Sequence, residues 1–137
     1  MKSIIAKHVN GKEFSSLKSP VLLEMIFDDL ILLLRFIHEA EKSGSLSGPF
    51  FFTNQIDYLD KTWHHFILHT KFYSDFCDRE FGEYLHHSPE TVCDNEGEVD
   101  GQMVAIALEQ QMNLLESKMG VDFVNRIFFL YPELLGV

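Results

Sequence analysis

Basic residues are scarce in this chain: 11 Lys and Arg stand against 21 Asp and Glu, a net charge of −10. Binding to the phosphate backbone of nucleic acid needs clustered Lys and Arg, so that class is excluded. An anionic membrane surface is excluded on the same ground. A protein partner with a basic surface fits the charge better. Cysteine is nearly missing. Cys77 and Cys93 are the only two, which makes no disulfide framework. A cytoplasmic, reducing compartment is therefore expected, although secretion as a bacterial effector would leave no mark in the composition. No apolar run escapes charge. Val21–Ile37 contains Glu24, Asp28, Asp29 and Arg35, so it is a poor membrane span. The stretch Met1–Phe14 has too short an apolar run for a secretory signal. No Gly-rich phosphate loop, internal repeat or strand alternation is found.

What remains is enough for one core. The chain has 137 residues, of which 46% are hydrophobic, and that size suits a single domain. Residues 1–18 read as a partly ordered arm with a turn at Asn10-Gly11, and 19–137 as a single helical domain. Ser19 and Pro20 open the first helix as N-cap and first residue. That helix runs to about Lys42 and stops before Gly44. Its polar residues Glu24, Asp28, Arg35, Glu39 and Lys42 share one narrow stripe. Nearly every other position is apolar, so the helix must be largely buried, or lend part of its face to a homodimer.

A Ser/Gly loop leads to Phe50, Phe51 and Phe52. At least one ring plugs the core; an exposed patch for a partner is the other reading. A second helical region begins near Thr53 or Asn54. Leu59, Trp63, Phe66, Thr70, Tyr73, Cys77 and Phe81 form its buried face, and Gly82 stops it. Glu90, Asp94, Glu96, Glu98 and Asp100 make an acidic loop that could meet a basic partner. As a calcium loop counted from Glu96 it places Ala107 where a bidentate Glu is required, and fails. A third helix spans about Gly101–Met119 on a stripe of Val104, Leu108, Met112, Leu115 and Met119. A fourth, Val121–Tyr131, buries Phe123, Val124, Ile127, Phe128 and Leu130, and Pro132 stops it. The fold class is all-α: a small bundle of about four helices.

The chemistry concentrates between Asp57 and Pro89. His64, His65, His69, Cys77 and His87 are residue types that zinc accepts. His65 and His69 are four apart and share a face on a straight helix. The opposing reading makes Cys77 a small buried hydrophobe and the imidazoles hydrogen-bonding struts. HHxxxH lacks the Glu of HExxH and so lacks a built-in general base. Cys93 in the acidic loop is held away from the thiolate by like charge. No carboxylate pair stands out by spacing, and no residue set names a reaction.

One string is more specific. Asp60-x-x-Trp63-His64-x-x-x-Leu68-His69-Thr70-x-x-Tyr73-x-x-Phe76-Cys77, then Phe81-Gly82 and His86-His87-x-Pro89, resembles the bacterial relatives of the plant glycine-rich-domain-containing proteins. The likeness covers about a quarter of the chain. The glycine-rich tail of the plant proteins is absent, and Phe66 stands where many of them carry a further His. The resemblance implies a small helical module in which Trp63, His64, His69, Tyr73 and His87 form one polar cluster. The function expected from all this is an acidic, helical interaction or regulatory module, an inhibitor or modulator of a partner enzyme, a bacterial effector among the candidates. The alternative is a zinc-binding domain using the 64–87 cluster, with hydrolytic activity.

Overall fold

A computed structural model describes residues 19–46, 48–87 and 101–136. The N-terminal arm, the acidic loop with Glu90, Asp94, Glu96, Glu98 and Asp100, and Cys93 lie outside the described residues. The described chain is all-helical. Helix α1 is Pro20–Ser43. The Ser19 side chain accepts a hydrogen bond from the Leu22 N–H, and Gly44 closes the other end at φ +66°. That left-handed conformation costs glycine nothing. Leu23, Ile26, Leu30, Leu33, Leu34 and Ile37 are buried along one face of α1, while Val21 and Met25 stay exposed. The helix packs against α2 (Asp57–Leu68) and α4 (Gly101–Met119). No described helix is long and apolar enough to cross a membrane.

The second helical region is two helices. A short 3-10 turn at Asn54–Ile56 leads into α2, and α3 is Thr70–Phe81. Thr53 precedes the turn but its hydroxyl makes no capping bond. The break falls at His69, whose backbone lies at φ −85°, ψ 68°, outside the helical region. His65 and His69 therefore do not share a straight-helix face. Two backbone bonds cross the bend: His69 N–H donates to Phe66 O and Tyr73 N–H to His69 O.

The C-terminal part also departs from expectation. Helix α5 is Val121–Asn125, a π-turn covers Arg126–Leu130, and α6 is Tyr131–Leu135. Pro132 does not stop a helix; it lies in the first turn of α6, where a missing N–H is tolerated. In the π-turn, Tyr131 N–H donates to Arg126 O, five residues back. The same pattern aims residue 132 at Ile127 O, and proline has no N–H to give. Tyr58 fills that gap: its hydroxyl donates to Ile127 O at 2.6 Å. Leu130 is 42% exposed instead of buried. It lies two positions past Phe128, about 200° round the helix, and the inward place goes to Tyr131.

Two polar ties cross the core. Asp29, only 5% exposed, accepts from Arg126 Nε at 2.8 Å, from Arg126 Nη2 at 3.0 Å, and from the Tyr131 hydroxyl. A buried carboxylate with three donors is one of the few stable ways to bury a charge. The bond to Asp29 raises the Arg126 pKa, against the opposing effect of burial. Gln111 is 2% exposed and exchanges two bonds with the Phe51 backbone, at 2.8 and 2.9 Å. It acts as a strand partner of one residue, pinning the Phe50–Phe52 segment to α4. Phe50 is buried; Phe51 and Phe52 are half-buried. The three rings are thus core and rim, and the exposed-patch reading is corrected: Phe50 packs edge-on against Phe36 and Phe52.

Candidate functional site: a tryptophan-backed imidazole groove

The bend at His69 folds α3 back along α2 and brings Trp63 to Tyr73. Trp63 Nε1–H donates to the Tyr73 hydroxyl at 3.0 Å, and that hydroxyl donates onward to Leu85 O. Trp63 is 3% exposed and Tyr73 fully buried, so each of these groups depends on the next for its hydrogen bond. Burial holds the Tyr73 phenol well above its ordinary pKa, with the Trp63 bond opposing. Gly82, at φ +70°, ends α3 and turns the chain so that Leu85 plugs the core.

Two residues later the tail lays His87 on Trp63. The rings stack with centroids 4.0 Å apart and planes 19° apart. Phe52 closes the other edge, 5.9 Å from both Trp63 and His87. His87 Nε2 meets Asp60 Oδ1 at 2.6 Å. Asp60 sits in the first turn of α2, three residues before Trp63, and so projects from the same side of the helix. The Asp60 carboxylate on Nε2 holds the orientation of the ring over the indole.

In front of this stack lies a groove of about 430 Å³, lined by Asp60, Lys61, His64, His65, Ile67 and His87. Its volume is within the range of ~300–1,000 Å³ typical of ligand sites. A second cavity, of only about 20 Å³, is bordered by Glu41, Phe50, Phe52, Trp63 and His87. Burial raises the Glu41 carboxyl, with His38 opposing.

Of the five residues expected as a polar cluster, Trp63, Tyr73 and His87 form one connected set. His64 is exposed on the groove, and its ring faces that of His65 edge-on at 6.1 Å. His69 is at the bend. The metal set is not gathered. Cys77 is fully buried in the apolar core, and His87 is committed to Asp60. Among the described residues no group of three or more His, Cys, Asp or Glu is placed to hold a metal ion.

Sequence reasoning passes over Asp60, Lys61 and Ile67 as lining, and over Leu85 and Phe52 as supports. Only the Asp60-x-x-Trp63 spacing carries a signal. It also passes over Asp29, Arg126, Tyr131 and Gln111.

A family model described as UCP032817-like matches residues 35–116. The matched span includes the bend, the stack and the whole groove lining. No curated protein and no solved structure matches the chain.

Proposed function

The chain belongs to the UCP032817-like family, and we propose that it is a helical recognition module that binds a segment of a partner protein in the α2 groove. The single observation behind this reading is the groove backed by an immobilised ring: His87 held between Trp63 and Asp60. A wall fixed before binding loses little entropy when a ligand arrives, which favours recognition. The chain's net charge of −10 steers it toward a partner whose surface is basic. Modulation of a partner enzyme is the role such a module would serve. The stretch Asp60–Pro89 that resembles the glycine-rich-domain-containing proteins lies within the matched residues 35–116. The small bundle around α1 is its scaffold.

The test is site-specific photo-crosslinking in the native host. A photoreactive residue replaces His64 in the groove, or Asp122, an exposed position of α5, as control. A discrete cross-linked partner at position 64 and none at 122 is expected. Equal products at both positions, or none at either, would remove the groove from consideration.

A further inference from the structure

We infer that the basic segment Met1–Lys18 doubles back on its own chain and covers the solvent face at the start of α1. The inference goes beyond the recognition reading and does not depend on it.

Charge is divided unevenly along the sequence. Lys2, Lys7, Lys12 and Lys18 are four of the 11 basic residues, and Glu13 is the one acid of that stretch. After Lys18 the chain holds 7 basic residues against 20 acidic ones. A basic segment is thus tied to an acidic domain and attracted to it. The tie is at Ser19, the N-cap of α1. Surface beside the tie is reached by closing a short loop, and longer closures cost more. Covalent attachment also keeps the effective concentration of the segment high there.

The face of α1 next to the tie has the matching chemistry. Val21 is 65% exposed and Met25 41% exposed. At about 100° per residue, Val21, Glu24, Met25 and Asp28 fall within an arc of roughly 100°, opposite the buried face. No Lys or Arg precedes Arg35 on α1. The third acid of this half, Asp29, points inward and is taken by Arg126 and Tyr131. Apolar surface interleaved with carboxylates suits a segment in which Ile4, Ile5 and Val9 are interleaved with Lys2, Lys7 and Lys12. Length is sufficient: the chain between Lys7 and Ser19 spans up to ~40 Å, against ~10 Å along α1 from Val21 to Asp28. The turn expected at Asn10-Gly11 gives the chain a place to reverse. A second copy is the poorer cover for this face, because two chains of net charge −10 repel each other.

The experiment uses the full chain with a photoreactive residue at Met25. The control position is Glu39, exposed on the same helix about 21 Å further along its axis. A monomer-sized product joining position 25 to a peptide from Met1–Lys18 is expected, with little from position 39. In 1 M salt, where the screening length falls to ~3 Å, the yield should drop about threefold or more, the scale of one surface ion pair. Lys2→Gln, Lys7→Gln and Lys12→Gln together should lower it as much in dilute buffer. A dimer-sized product joining two copies would overturn the inference in favour of a homodimer on α1. No product with residues 1–18, equal yields from positions 25 and 39, or a yield that neither salt nor the lysine changes move would overturn it as well.

Discussion

Replacing Tyr73 by Phe removes one oxygen atom and undoes two hydrogen bonds. The Tyr73 hydroxyl accepts from Trp63 Nε1 and donates to Leu85 O, and all three residues are buried. Phe fills nearly the same space, so no cavity term arises. What is left is an indole N–H and a carbonyl oxygen without partners in the core. Each orphaned group costs about 1–3 kcal/mol. Some relaxation of the Gly82–His87 tail toward water recovers part of that, so a loss of roughly 2–4 kcal/mol is expected. This is a large share of the ~5–15 kcal/mol that holds a domain of ordinary stability. Trp63 is the only tryptophan, so its emission reports on the mutated place during urea unfolding. A native-state red shift should accompany the lower midpoint, because releasing Leu85 also loosens His87 from the indole face. A Tyr73→Phe protein that loses less than about 0.5 kcal/mol, the range of an inert surface change, and keeps the native emission would refute the relay.

Three further perturbations follow the same logic. Arg126→Ala leaves the buried Asp29 carboxylate with Tyr131 as its remaining donor among the described residues, and should cost ~3 kcal/mol in urea unfolding, the low end for a broken buried pair because Arg126 is partly exposed. Tyr58, Tyr73 and Tyr131 all have pKa values raised chiefly by burial. The unfolded chain ionises first, near pH ~10, so their contribution is intact below that pH and is lost above it; the urea midpoint should fall between about pH 9 and about pH 11, and fall less in Tyr58→Phe once its lower starting stability is subtracted. Gly82→Ala meets no neighbouring atom but forces a Cβ into φ +70°; it should cost ~1 kcal/mol by calorimetry and broaden the His87 resonances.

How much of this was legible in the sequence depended on distance along the chain. The all-helical class follows from apolar spacing, and the ends of α1 from Ser19, Pro20 and Gly44, each within one turn of the group it serves. Asp29 gave no signal, because its partners lie 97 and 102 residues away and its neighbour Asp28 is an ordinary exposed acid. Gln111 reads as one more polar residue on α4 until Phe51, 60 positions earlier, is laid against it. The metal reading needed Cys77 to turn from the core, and helical phase puts it on the same side as Tyr73 and Phe76. In the groove, Trp63 and His87 were visible as residue types, but the pairing of His87 with Asp60 required knowing where the tail goes after Gly82.

The bend at His69 is the feature on which the site depends, and neither glycine nor proline marks it. On an unbroken helix, positions 63 and 73 would be about 15 Å apart along the axis. Their side chains are joined at 3.0 Å. No rotamer change closes such a gap, so the Trp63–Tyr73 bond and the bend require each other. The apolar face accounts for the choice. A straight helix from Asp57 to Phe81 would string Trp63, Phe66, Tyr73, Phe76 and Cys77 out over about 21 Å, with Phe66 about 10 Å along the axis from Tyr73. Folded in two, Phe66 packs edge-on against both Tyr73 and Phe76, at 4.9 and 5.3 Å. The burial gained offsets the helical hydrogen bonds lost at one residue. An NMR cross-peak between the Trp63 indole N–H and the Tyr73 ring protons is therefore expected in the native protein. Its absence, with continuous helical amide contacts running through residue 69, would mean a straight helix and no wall for the groove.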